Sequence, residues 1–429
     1  LKIRHRGIKG VLSVDPALDE RRQWAAENGI KDSNSATNKM NDLAVVFRPS
    51  QDKFRAPRSG TIEIVKYSSP TPVSLNRPMI SILDQVSGMQ GHTVHVMVTE
   101  RIHELLDAQL TELAEVFLDE DRCRDKLNEL PRLMNVDRLS LVRGFALTQE
   151  PFFRSLLRAS VKYMLKKQLA KEQIMIPPHL GRSMFGVMDE TGQLQSGQIF
   201  VQYTNNVWLK TPSSKAAKTI LKGPVLMTKN PCIVAGDVRI FEAVDIPELH
   251  HLVDVVVFPQ YGPRPHTDEM AGSDLDGDEY TVIWDKKLMF VRNESPLDFT
   301  KRVKKYEVVD QDHVDFEMRK FFCNYIKQDS IGSIANAFLV NADLYGITSE
   351  ICVNIARKHS QAVDFPKTGD APEPLTKVWT EGASGSLVPP ERSERWPDFM
   401  CKNHEPNYIS PRLVGQLYRW VLLDLEEYL

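Results

Sequence analysis

Apolar residues change their spacing three times along the chain. Between residues 1 and 90 they come in short runs: Lys9-Gly10-Val11-Leu12, Val45-Val46-Phe47 and Ile62-Glu63-Ile64-Val65. Pro49, Pro57, Gly60 and Pro70 break these runs, a pattern that predicts strands. From Arg101 to Leu130 the spacing becomes three-to-four, through Leu105, Leu106, Leu110, Leu113, Val116 and Phe117, and predicts an amphipathic helix. Phe152 to Glu172 repeats that period, with Lys162, Lys166, Lys167 and Lys171 on the polar side. Between residues 174 and 290 strand character returns at Ile199 to Tyr203, Pro224 to Met227, Val253 to Phe258 and Tyr280 to Trp284. Helical spacing resumes from about residue 311, through Phe321 to Tyr345 and Ile351 to Ala362. The proline-rich stretch 366–400, with Gly382, Ser384 and Gly385, predicts a long loop before a final helix from Pro411. There is no internal repeat and no low-complexity tract.

The order is β, α, β, α, and the strands do not alternate one-for-one with helices. That disfavours a doubly wound parallel sheet and favours two small barrels separated by a helical connector. At 429 residues the chain has room for two to four domains, and 42% hydrophobic with 26% charged residues is ordinary globular composition. Lys+Arg 54 against Asp+Glu 57 leaves a net charge of −3, so any polyanion site depends on local clustering rather than on a global positive field. No apolar run approaches the roughly 18 residues of a membrane span. No signal peptide is present, and the first residue is Leu1, so the chain is expected to be a piece of a longer protein cut near its start. The cysteines Cys123, Cys232, Cys323, Cys352 and Cys401 are odd in number, scattered and never spaced C-x-x-C. This disfavours a disulfide framework or zinc knuckle and fits a reducing, intracellular compartment.

The chemistry concentrates in Gly272-Ser273-Asp274-Leu275-Asp276-Gly277-Asp278-Glu279-Tyr280. Asp274, Asp276 and Asp278 alternate, so in an extended chain they project to one side, about 6.6 Å apart per step. A turn at Gly277 brings them closer. Two carboxylates ~4 Å apart repel by about 4 kcal/mol at an effective dielectric near 20, so the trio stays ionised only with a cation among it. All-oxygen donors select Mg²⁺, Ca²⁺ or Mn²⁺ over zinc. Gly277, without a Cβ, lets the backbone pass close to a bound nucleotide. Three readings compete: a solvated acidic turn, an EF-hand calcium loop, and a two-Mg²⁺ nucleotidyl-transfer centre. The EF-hand fails, because Glu279 stands where its glycine belongs, Asp285 where its bidentate Glu belongs, and a strand follows instead of a helix.

Other candidates carry less. His250-His251 lacks a third ligand at metal spacing, and His103-Glu104 lacks the second His of H-E-x-x-H. G-x-x-x-x-G-K-[ST], G-x-G-x-x-G and G-x-S-x-G are all absent. The run Lys301-Arg302-Val303-Lys304-Lys305 reads as a solvated face, with a grip on nucleic-acid backbone as the sharper alternative. Met184 and Met188 read as core.

Around the aspartates lie Lys222-Gly223-Pro224-Val225-Leu226-Met227-Thr228-Lys229-Asn230-Pro231, Ala235-Gly236-Asp237-Val238-Arg239, Phe258-Pro259-Gln260 and Gly262-Pro263-Arg264-Pro265-His266. The block from Lys222 to Asp285 resembles the catalytic barrel of the cellular RNA-dependent RNA polymerases of RNA silencing, whose hallmark is D-L-D-G-D before a hydrophobic strand and W-D. Arg6 to Leu12, Arg48 to Phe54, Leu75-Asn76-Arg77, Met184 to Glu190 and Ala362 to Gly369 resemble further family motifs in family order, so the resemblance spans nearly the whole chain.

The resemblance implies an α+β fold of two double-psi β-barrels with helical connector, neck and head elements. The expected domains are residues 1–92 (first barrel, cut at its N-terminus), 93–172 (helical connector), 173–295 (second, catalytic barrel) and 296–429 (neck and head, with the loop 366–400). Asp274, Asp276 and Asp278 would bind Mg²⁺, or Mn²⁺ in its place. Lys9, Lys53 and Lys229 would line the site, where ammonium groups neutralise charge on leaving pyrophosphate. Arg4, Arg239, Arg264 and Gly277 would face template or nucleotide. Ala235 and Ser273 stand where many relatives have Pro and a second Gly, Lys229 where some members have Arg, and Phe338 where His is common. The implied activity is RNA synthesis on single-stranded RNA from nucleoside triphosphates, serving small-interfering-RNA amplification. Argonaute-, helicase- or dicer-type partners are implied, in the cytoplasm, a perinuclear granule or the nucleus, with no membrane association. The alternatives are a DNA-templated polymerase of the same barrel chemistry and a catalytically silent RNA-binding scaffold. A virus-type polymerase lacks its G-D-D triplet here, since Gly277-Asp278 is followed by Glu279.

Overall fold

Strands between residues 181 and 283 share an apolar inner face, several of them are apolar on the outer face too, and the chain buries the shared face by closing a barrel. In the computed structural model the strands are β4 (Gly181–Met188), β5 (Gln198–Thr204), β6 (Lys218–Ile220), β7 (Gly223–Lys229), β8 (Arg239–Ala243), β9 (Val255–Phe258) and β10 (Glu279–Ile283). They form one seven-stranded sheet in the order β6-β5-β8-β7-β10-β4-β9, and an additional β5–β9 pairing closes six of them. β4–β9 and β5–β8 are parallel and the remaining pairs antiparallel. Met184, Val201, Met227, Phe241, Val256, Tyr280 and Val282 gather from all six strands into one buried cluster. Their alternates Phe185, Phe200, Val255 and Val257 form a second cluster on the outer face. A strand buried on both sides reads as a continuous hydrophobic run, as β9 (Val255-Val256-Val257-Phe258) does.

The structure describes residues 1–28, 45–54, 60–130, 145–167, 169–209, 213–298, 310–328, 330–383, 385–400 and 405–428. The basic run 301–305 and Cys401 lie outside the described residues. The chain divides into two compact units, each assembled from three stretches: residues 1–72, 178–230 and 239–284 in one, and 73–177, 231–238 and 285–429 in the other.

The first unit adds to the barrel an antiparallel sheet of β1 (Lys2–His5), β2 (Ile8–Val11) and β3 (Glu63–Lys66), in the order β2-β1-β3. These are the strands among the described residues of the region expected to form a first barrel. The strand expected at Val45-Val46-Phe47 is absent: the segment is irregular, Val45 and Val46 are exposed, and Pro49 opens a 3₁₀ turn. An extended run without a partner strand leaves its backbone groups to water, and Phe47 instead stacks on His5 at 5.7 Å.

The second unit is helical. Its longer helices are α1 (Arg77–Gln90), α2 (His92–Glu115), α3 (Glu120–Glu129), α4 (Pro151–Lys167), α5 (Val314–Gln328), α6 (Ile331–Tyr345), α7 (Glu350–Thr368) and α8 (Leu413–Tyr428). The single helix expected from Arg101 to Leu130 breaks after Glu115, where Asp119 accepts from the Arg122 N–H at 2.8 Å and caps a new start. The expected loop 366–400 begins late, because α7 runs through Pro366 and stops at Thr368. The rest holds a short pairing of Thr380–Glu381 with Leu387–Val388 and a turn at Asp398–Met400. Among the described residues no helix is long and apolar enough to cross a membrane.

Candidate active site

The carboxylate loop hangs between a helical turn at His266–Glu269 and strand β10, and both ends are anchored inside the barrel. Tyr280, fully buried, sends its hydroxyl back under the loop to the Asp274 carbonyl at 3.1 Å and lies 3.0 Å from Ser273 Oγ. Burial raises the Tyr280 pKa, so the phenol keeps its proton and remains a donor. Within the loop the Asp276 N–H donates to Asp274 Oδ1 at 3.1 Å, folding the chain back so that the alternating aspartates converge. One oxygen from each of Asp274, Asp276 and Asp278 falls within 4.8 Å of the others. Part of Asp274 meets solvent, yet the protein packed around its carboxyl, and then Asp276 and Asp278, disfavour its charged form and raise its pKa.

Four lysines answer this charge, and each takes one of four consecutive loop residues. Lys9 pairs with the Asp276 carboxylate, Lys2 Nζ donates to the Gly277 carbonyl at 3.0 Å, Lys229 Nζ lies 3.6 Å from Asp278 Oδ2, and Lys66 Nζ donates to Glu279 Oε1 at 2.6 Å. Three of them come from the small sheet and the fourth from the end of β7, which pairs directly with Tyr280. Gly277 adopts φ +116°, a left-handed conformation, and a Cβ there would lie 2.7 Å from Lys2 Cε. The turn therefore favours glycine, and a side chain there would displace the Lys2 side chain.

The structure thus gathers the three expected aspartates with Lys9, Lys229 and Gly277. It adds Lys2 and Lys66, which sequence reasoning missed. For Lys2 the available signal was the alternation Lys2-Ile3-Arg4, which puts two cations on one face of a strand; no local pattern marks Lys66. Lys53 is exposed, and its backbone N–H donates to the Gly7 carbonyl at 3.0 Å. Arg4 turns its guanidinium to the Ile3 carbonyl at 2.8 Å. Arg239 is buried with Nε 3.2 Å from Glu269 Oε2, and Arg264 holds Asp268 at 2.7 Å. His266 completes the Glu269 cluster: its Nε2 accepts the Gly197 N–H at 2.7 Å, so the ring proton sits on Nδ1 and points to Glu269 at 2.8 Å. Arg239 and Arg264 thereby brace the turn that leads into the loop.

A family profile described as RNA dependent RNA polymerase matches residues 1–421. The chain is 34% identical over 423 residues to Probable RNA-dependent RNA polymerase 1 of Oryza sativa subsp. japonica, covering 97% of this chain and 50% of that protein. It is 33% identical over 429 residues to RNA-dependent RNA polymerase 1 of Arabidopsis thaliana, covering 98% and 33%. With RNA-dependent RNA polymerase 1 of Schizosaccharomyces pombe it shares 31% over 441 residues, covering 98% and 33%. The chain therefore spans a third to a half of these relatives' length. Among solved structures, RNA dependent RNA polymerase QDE-1 from Thielavia terrestris aligns with all of this chain and 48% of its own, at a TM-score of 0.66 and 18% identity. That likeness bears on the fold, an α+β core built on a double-psi barrel.

Proposed function

The chain belongs to the RNA-dependent RNA polymerase family, and from that premise we propose that it carries the catalytic core of an enzyme that copies single-stranded RNA into complementary RNA. The observation that carries this reading is the convergence of Asp274, Asp276 and Asp278 on the lip of a closed barrel, with a lysine on each residue from Asp276 to Glu279. A solvated acidic turn has no reason to hold three carboxylates so close, nor to recruit cations from another sheet.

The donor set suits a hard divalent cation. It is all oxygen, the ligand atoms lie within 4.8 Å of one another, and the Asp274 carboxyl resists carrying charge beside its neighbours. Asp274, Asp276 and Asp278 would hold Mg²⁺, or Mn²⁺ in its place. When bound, such ions supply an acidified nucleophile and a counter-charge for the leaving group. In the reaction a 3′-hydroxyl releases its proton to solvent as its oxygen forms a bond to the α-phosphorus of a nucleoside triphosphate, the bond from that phosphorus to the α,β-bridging oxygen breaks, and pyrophosphate departs. Lys9 and Lys229 stand beside the carboxylates and would take up the triphosphate charge as it shifts to pyrophosphate. Gly277 leaves the loop backbone open to close approach by a nucleotide. Service in small-interfering-RNA amplification, with argonaute-, helicase- or dicer-type partners inside the cell, belongs to the same proposal.

The test is incorporation of labelled nucleotide with Mg²⁺ on single-stranded RNA and, in parallel, single-stranded DNA. Template-directed product is expected on RNA. It should fall in Asp276→Ala by more than the roughly 10–100-fold that losing an outer partner of a metal ligand costs. Product that survives Asp276→Ala refutes the assigned centre. Preference for the DNA template refutes the assigned substrate.

A further inference from the structure

We propose that Lys2 and Lys66 are positioning residues that hold the carboxylate loop in its metal-binding shape, while Lys9 and Lys229 are exchangeable counter-charges. This rests on the metal-dependent centre proposed above. In the small sheet Lys2 is registered opposite Lys66 and Arg4 opposite Lys9. Directly opposed residues project to the same face, as do Lys2 and Arg4 two apart, so one side of a three-stranded sheet carries four cations, with Glu63 opposite Arg4 as a carboxylate of the sheet itself. Like charges opposed across strands destabilise a sheet unless something compensates them. Glu63 stands opposite Arg4, and for the three lysines the compensation is the loop: Lys9, Lys2 and Lys66 bind Asp276, Gly277 and Glu279.

What each lysine holds separates the two roles. Lys9 and Lys229 lie on the carboxylates of Asp276 and Asp278, the groups a metal ion would claim. Lys2 holds a backbone carbonyl and Lys66 holds Glu279, and neither group belongs to the converging trio. Their bonds persist when a cation enters. They also bracket Asp278 on both sides along the chain. Lys66 is further steadied over the Phe185 ring, 5.5 Å from its centroid, and Phe185 is the β4 partner of Glu279. The Lys66–Glu279 pair thus ties the first turn of β10 to β3 and β4 together.

The two roles predict opposite signs for metal affinity. Removing a nearby positive charge, by Coulomb's law alone, tightens cation binding. Removing a strut loosens it. The experiment is Mn²⁺ binding by electron paramagnetic resonance on the whole chain, without nucleotide or RNA. Wild type is compared with Lys66→Met, Lys2→Met, Lys9→Met, the Lys66→Glu/Glu279→Lys exchange and Asp276→Ala, each with a melting curve. Lys66→Met and Lys2→Met are expected to weaken Mn²⁺ binding by about tenfold, as loss of an outer partner of a metal ligand does. Lys9→Met should bind at least as tightly as wild type, and the exchange should recover most of the Lys66→Met loss. Lys66→Met or Lys2→Met bound as tightly as wild type or tighter overturns the positioning role alone. If either single variant does not fold, a folded exchange variant that binds Mn²⁺ no better than Asp276→Ala overturns it as well. Wild type that takes up no Mn²⁺, or uptake that Asp276→Ala leaves unchanged, overturns the metal centre and this proposal together.

Discussion

A Cβ placed on Gly186 would lie 2.5 Å from Tyr280 Cε2, 2.8 Å from Leu275 Cδ2 and 3.0 Å from Phe258 Cε2. Phe258 and Tyr280 are buried and packed on each other with ring centroids 4.9 Å apart, so neither ring can swing aside. Leu275 sits between two of the aspartates and is the neighbour free to move. Gly186→Ala is therefore expected to destabilise the protein by about 1–3 kcal/mol, the usual cost of an extra methyl in a filled core. It should also weaken Mn²⁺ binding by pushing Leu275 outward. Urea denaturation and a Mn²⁺ titration check the two halves separately, and lost stability with unchanged Mn²⁺ affinity would detach Leu275 from the site. At this scale the aspartates, Gly277, Lys9 and Lys229 were legible in the sequence, because a short alternating run and linear motifs carry them. Lys2 and Lys66 were not, since they meet the loop across 275 and 213 residues of chain. Only the register of β1 against β3 sets them side by side.

Four of the six barrel strands, β5, β7, β9 and β10, were legible as elements from their apolar runs, whereas β4 and β8, where glycine, serine, arginine and glutamate interrupt the run, were not. Closure was not legible either, since it depends on a corner. Asp254, at φ +56°, makes that corner. Its N–H donates to the Gln202 carbonyl at 2.8 Å, and its carboxylate accepts from the Thr204 N–H at 2.8 Å and the Thr204 hydroxyl at 2.7 Å. These bonds join the end of β5 to the start of β9, the pairing that shuts the six-stranded ring. Asp254→Ala leaves two buried donors unmet, at about 1–3 kcal/mol each. Asp254→Asn keeps an acceptor and suits the left-handed backbone, so most of that loss should not appear. Denaturation midpoints for the two variants decide this, and equal losses would mean the carboxylate's charge matters more than its geometry. The helical period shows the same division between element and junction. The stripe from Arg101 to Leu130 was read correctly as helical, but its break turns on one capping side chain, Asp119, which periodicity does not weigh.

On the scale of the molecule, each compact unit is stitched from three separated stretches, so neither is a contiguous block of sequence. Local pattern cannot reveal that interleaving, and in the helical unit it hides a buried acid as well. Glu172 closes the lysine-rich stretch from Phe152, and no local pattern marks it as buried, yet it is 1% exposed. One of its oxygens accepts from Arg77, while Oε1 is buried with no hydrogen-bond partner. Burial pushes its carboxyl up from 4.5 to about 8 against the pull of Arg77. The sign of the consequence follows from proton counting. Between 4.5 and 8 the folded chain keeps a proton at Glu172 that the unfolded chain has released. Stability from this group is therefore complete below the unfolded value and is lost as pH rises through the folded one, at no more than about 1.4 kcal/mol per pH unit. Urea midpoints should fall between pH 6 and pH 8.5, and Glu172→Gln, which keeps an oxygen for Arg77 and cannot ionise, should flatten that fall. Parallel pH profiles for wild type and Glu172→Gln would mean that Arg77 holds the carboxylate ionised throughout, and that attraction within the pair outweighs the cost of burying it.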